Sequence, residues 1–184
     1  MPLFGIPWMA GRVSAQQSAA REVENLDRRT FSDPNLAAKL DEIASHYSLE
    51  VATLEPSAKR GSRRDIKRTD DFGETHTIWV MDVTIPFRGD PKSFQFSPSY
   101  CTIPSFPCEA MSDHLFVTLH EDSNLQTNVD QFIQQVSQNL TALSAEVTDS
   151  LTRLREALNQ VADTRIRQIA DQTTRNKNLD FPVD

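Results

Sequence analysis

A chain of 184 residues has room for one ordinary domain and an appendage, and 38% apolar with 24% charged residues sets it on the polar side of globular proteins. Its 19 basic and 26 acidic residues leave a net charge of −7, which argues against a general nucleic-acid coat but permits a local basic patch. Two cysteines, Cys101 and Cys108, exclude a disulfide framework and suit a reducing, cytoplasmic setting. MPLFGIPWMA lacks the regions of an export signal, and no run reaches the roughly 20 apolar residues of a membrane span.

In chain order, Ala19, Val23 and Leu26 lie three and four apart within Ser14 to Arg29, which predicts a first helix. Asp33-Pro34 is a helix start signal, because Asp caps free amides and Pro is tolerated in the first turn. Leu36, Leu40, Ile43 and Tyr47 then form one face of a second helix ending near Ser48. Leu49 to Leu54 reads as a short strand stopped by Pro56. Residues 57–74, polar, highly charged and punctuated by Gly61 and Gly73, read as a loop.

Thr75 to Phe87 has a period of two, with Trp79, Met81, Val83, Ile85 and Phe87 on the face expected to be core. Gly89-Asp90-Pro91 is a turn, Phe94 to Phe96 a short returning strand, and Pro98, Pro104 and Pro107 forbid regular pairing through the next stretch. His114 to Glu121 alternates again, with Leu115, Val117 and Leu119 on one face. Strands joined by short returns predict an antiparallel sheet of three to four strands.

From Ser123, where Ser123-Asn124-Leu125-Gln126 fits a capping box, to Leu179 there is neither Gly nor Pro. Apolar residues recur mostly at threes and fours through Leu125, Val129, Ile133, Val136, Leu140, Leu143, Val147, Leu151, Leu154, Leu158, Val161, Ile166 and Ile169. An extra residue between Val147 and Leu151 is a stutter, consistent with one long helix or with a hairpin turning near Thr148-Asp149-Ser150. A single helix would run about 75 Å, longer than a sheet of short strands covers. The stripe Leu140, Leu143, Val147, Leu151, Leu154, Leu158, Val161, Ile166 and Ile169 is therefore expected to bind a protein partner or a second copy. Pro182 closes the segment. The expected fold is α+β, with residues 1–122 as base, 123–179 as long helix and 180–184 as tail.

Chemistry-bearing patterns are sparse. Cys101, Cys108, His114 and His120 are close in sequence, but the cysteine spacing exceeds a zinc knuckle, and six positions along a strand part the histidines by about 20 Å. No metal, cofactor or catalytic residue is assigned. Asp71-Phe72-Gly73 spells a kinase triplet without its companion motifs, and no two glycines form a phosphate cradle. Asn139-Leu140-Thr141 is a glycosylation triplet that a chain without a leader would not use. Lys59, Arg60, Arg63, Arg64, Lys67 and Arg68 face one acid, Asp65, in ten residues. This is the alternative site, for nucleic acid or an acidic partner.

The run VTIPFRGDPKSFQFSPS, Val83 to Ser99, then a strand, a long helix and Asn178-Leu179-Asp180-Phe181-Pro182-Val183, resembles an uncharacterised bacterial region with the pattern PFxGDPxxFxxxPS, helix, LGFP. That region lies N-terminal to restriction-endonuclease-like or TIR-type effector domains. The resemblance spans roughly residues 75–184. It departs at Thr102 to Pro107, where the family's asparagine and proline are unmatched, and at Asp180, which replaces a glycine. It implies a non-catalytic sensing, regulatory or assembly module of a defence-type system, ending where a linker to the effector would begin.

Overall fold

The computed structural model describes residues 3–102 and 106–177. Pro104, the tail motif from Asn178 and the stop at Pro182 lie outside them. The chain divides into two compact units, Met1–Trp8 with Leu49–Glu146, and Met9–Ser48 with Val147–Asp184. The fold is α+β, as the alternation of periods predicts.

The first unit holds strands β1 (Ile6–Pro7), β2 (Thr53–Leu54), β3 (Arg60–Thr69), β4 (Thr75–Arg88), β5 (Phe96–Ser97), β6 (Cys108–Ala110) and β7 (His114–His120). β2 and β3 pair with successive lengths of β4, β4 with β7 and β7 with β6, giving a five-stranded antiparallel sheet. β1 and β5 form a separate parallel pair. The sheet is larger than expected because β6 and β3 escape a reading based on hydrophobic period.

In an antiparallel pair, directly opposed residues share a face. Met81, Val83 and Ile85 oppose Leu119, Val117 and Leu115, and this face joins one hydrophobic cluster with Val129, Phe132, Val136 and Leu140. The last four belong to the helix that begins at Leu125. Phe132 is fully buried whereas Ile133 is only partly so, which moves the stripe one position from where the three-four count placed it.

The PFRGDP turn is packed backbone. Gly89, at φ 103°, has Ala52 Cα 2.9 Å and Val51 O 3.0 Å from where a Cβ would lie. Asp90 then caps a 3₁₀ turn, Pro91–Phe94, its carboxylate accepting from the Lys92 amide at 2.8 Å. Buried Ser93 accepts from the Ala52 amide at 2.9 Å and donates to the Asp90 carbonyl at 2.6 Å. Phe94 stacks edge-on with Phe87, and Phe96 with Trp8. The residues that carry the family resemblance therefore act here as a corner of the core.

The second unit contains most of helix α1 (Trp8–Glu24), all of α2 (Leu36–His46) and the C-terminal part of α3 (Leu125–Lys177). Ala19 and Val23 of α1, Phe31 of a 3₁₀ turn, and Leu40, Ile43 and Ala44 of α2 bury Leu154, Leu158 and Ala162 of α3 in one cluster. Arg155 pairs with Asp41 at 2.8 Å, and Arg28 donates to the Thr173 hydroxyl at 2.6 Å.

Several boundaries differ from expectation. α1 starts at Trp8 and stops at Glu24, not Arg29. α2 begins after Asn35, with Asp33 accepting from the Asn35 amide. Asp122, not Ser123, turns the chain into α3, its carboxylate accepting from the Asn124 amide at 2.8 Å. α3 is one 53-residue helix, which removes the hairpin alternative, and the stutter at Val147 falls where the two units meet in sequence.

Candidate interaction surface on the basic arm

The nine-residue partner stripe rests on the premise that the chain leaves it uncovered, and that premise is overturned. Leu140 lies in the first unit's core and Leu154 and Leu158 in the second's. Leu143 and Val147 are buried, and Leu151, Val161 and Ile169 pack against the second cluster. Only Ile166, 39% exposed, faces solvent. Each part of α3 has its own cover: the apolar face of the sheet takes Val129 to Leu140, and the two N-terminal helices take Leu154 to Ala162.

The basic run is not a loop within 57–74. After a short 3₁₀ turn at Pro56–Ala58, β3 pairs residue for residue with β4 from Arg60↔Thr84 to Thr69↔Thr75. β4 meets β7 only from Val80 onward, so Asp65–Thr69 and Thr75–Trp79 form a two-stranded arm beyond the sheet. Water reaches both its faces, which is why no hydrophobic period marks β3. A cross-strand Ile66↔Ile78 pair and a Thr69–Thr75 hydroxyl contact at 3.2 Å tie it together.

At the tip, Asp70 accepts from the amides of Phe72 and Glu74 and contacts the His76 ring at 3.1 Å. The Glu74 amide, then His76, hold its carboxyl below the usual carboxylate range. Gly73 takes φ 86°, and Phe72 is 93% exposed. The triplet Asp71-Phe72-Gly73 is thus a hairpin tip. Asp70, Glu74 and His76 lie close enough to share a small ion, but all three are exposed and engaged in the turn.

Along β3 and β4, Arg60, Arg64 and Arg68 share a face with His76, Ile78 and Asp82, whereas Arg63 and Lys67 share the other with Trp79 and Met81. Arg64 binds Asp82 through two nitrogens, and Thr118 donates to the same carboxylate at 2.6 Å. Arg63 pairs with Glu121 and lies 4.3 Å above the Trp79 ring. Trp79 is 47% exposed, not core as its alternation suggested, because the residue opposite it is Glu121, whose amide donates to the Trp79 carbonyl at 3.0 Å and whose carboxylate pairs with Arg63, rather than an apolar cover. Among the described residues, no ion pair uses Lys59, Arg60, Lys67 or Arg68.

The Arg64 hydrogen bond, then that from Thr118, lowers the Asp82 pKa. A carboxylate held below its unfolded value adds stability that is complete above about pH 4 and is lost as pH falls through the folded pKa. Asp82→Asn should lower the melting temperature modestly at pH 7, because Arg64 is half-exposed and screened. The gap from the parent should close below about pH 4. A gap constant with pH in melting curves would assign Asp82 a shape role only.

Comparisons with family models, curated proteins and solved structures give no match.

The cysteine and histidine candidates are kept apart by the sheet. Cys108 opposes Val117 and so faces the core side, whereas His114 and His120 oppose Pro86 and Val80 on the other side. Burial pushes the Cys108 thiol up to about 11 and raises that of Cys101, so neither is a ready thiolate near neutral pH. Asn139, of the glycosylation triplet, is buried. Its amide clamps the Thr102 backbone, donating to the carbonyl at 2.7 Å and accepting from the N–H at 3.0 Å. No described helix is long and apolar enough to cross a membrane.

Sequence reading missed Trp79 and Phe72 as exposed aromatics. A signal was present: two extended runs flanking Asp70–Glu74, with Gly73 inside, fit a hairpin.

Proposed function

We propose that this chain is a non-catalytic regulatory or assembly module that works through protein contacts, with the β3–β4 arm as its contact element. The observation that carries this reading is the arm itself, which presents cations on both faces together with Phe72 and Trp79. A solvated hairpin that contributes little to either core needs another reason to be ordered. The non-catalytic part is supported by the raised thiols.

The arm is also a two-stranded ribbon of the width that enters a DNA major groove, and its cations suit phosphate. Asp70, Asp71 and Glu74 at the leading tip repel phosphate, and this favours a protein. The test is affinity purification of the tagged chain from its own cells, beside Arg60→Glu/Lys67→Glu/Arg68→Glu. A nuclease-resistant protein held by the parent and lost from the variant is expected. Recovery unchanged by the charge reversal, or only nuclease-sensitive recovery, overturns the reading.

A further inference from the structure

β3 is a ten-residue strand without proline, and among the described residues only β4 pairs with it. Alternate residues along about 33 Å of strand therefore turn N–H and C=O groups outward, at the spacing a further strand requires. Edge strands of this length are usually shortened, bulged, covered or charged against self-pairing. Here five cations outnumber one acid, Asp65. A second copy of β3, set antiparallel about Asp65, would place Arg63 against Lys67 on the same face, which is repulsive.

An acidic strand meets no such obstacle. A residue opposite Arg60 or Arg68 shares their face, and one opposite Lys67 shares the other. These three cations have no internal ion-pair partner among the described residues. Arg63 and Arg64 are already held by Glu121 and Asp82, which fixes the strand and leaves its outer edge clear. Ile66 and Trp79 add apolar surface beside the free cations. Ordered backbone supplies the hydrogen bonds and unpaired cations supply the selection.

We propose that the outer edge of β3 accepts an extended acidic peptide of a partner protein as an added strand, with Arg60, Lys67 and Arg68 reading its carboxylates. This rests on the arm being the contact element and specifies how it makes contact.

The test uses the full chain and a ten-residue peptide alternating Glu-Glu and Val-Val pairs, which carries carboxylates on both faces of a strand and spans Arg60 to Arg68, with a same-charge peptide carrying proline at alternate positions as control. Amide hydrogen exchange is read residue by residue. Alternate amides of Arg60–Thr69, those not bonded to β4, should slow by roughly tenfold or more at saturating peptide. The proline peptide should leave them unchanged. Arg60→Glu/Lys67→Glu/Arg68→Glu should weaken binding by roughly tenfold or more, and added salt should weaken it in the parent. Unchanged exchange elsewhere would show the variant folded.

Peptide binding without amide protection overturns strand addition while leaving the arm as contact element. No binding of the alternating peptide overturns the acidic-peptide proposal, and the purification experiment then decides separately whether the arm binds protein. A DNA duplex that displaces the peptide at equal concentration overturns it in favour of nucleic acid.

Discussion

Leu158→Ala is expected to lower stability by about 2–5 kcal/mol, the range for removing a buried leucine from a core that only partly relaxes. Leu158 has no exposed surface and shares its cluster with Val23, Ile43 and Leu154, all of this chain. The loss should therefore be independent of protein concentration. A leucine at an interface between copies would behave differently, because association stabilises by mass action and dilution would lower the midpoint. Denaturant titrations at several protein concentrations distinguish the two. Ile166→Ala, on the same helix but exposed, should change stability by no more than about 0.5 kcal/mol. A midpoint that follows concentration in the parent would return the stripe to the role of partner surface.

Gly89→Ala should be comparably severe for a different reason. A methyl group there would sit 2.9 Å from Ala52 Cα and 3.0 Å from Val51 O, both backbone, at a φ of 103° that L residues rarely adopt. Strain of about 1–3 kcal/mol adds to a packing clash of similar size, so about 2–6 kcal/mol in all. The corner would have to open, weakening the bond from the Asp90 amide to the Glu50 carbonyl. Gly73→Ala is the control. Its φ is also positive but its Cβ would meet nothing within 4 Å, so only the conformational strain remains, about 1–2 kcal/mol. Equal losses at the two glycines in thermal melts would show that the clash at Gly89 relaxes freely.

The core strands were legible because one side of each is buried. Leu115, Val117 and Leu119, and Val83, Ile85 and Phe87, are buried at every second position while the residues between them are less so, and that period is the direct trace of a half-covered sheet. β3 left no such trace. Its residues are solvated on both faces, so Arg-Gly-Ser-Arg-Arg-Asp-Ile-Lys-Arg-Thr looks like loop, and only its pairing with β4 makes it a strand. Trp79 failed in the opposite way. Its alternation is genuine, but core requires a covering element, and the residue opposite it is the charged Glu121 at the end of the sheet.

The same division governs the candidate site. The cations from Lys59 to Arg68 were readable as a functional run from their charge alone. Which are held and which are free was not, because Glu121 and Asp82 are far along the chain and reach Arg63 and Arg64 only through strand register. By itself the sequence determined the α+β class, the helical character of the C-terminal third and the tight turn at Gly89. These depend on local period, the absence of Gly and Pro, and backbone sterics. Only tertiary structure decided that the helix is unbroken and that its apolar stripe is filled by this chain. It alone showed that the basic run is an open-edged strand, since burial and pairing depend on residues distant in sequence.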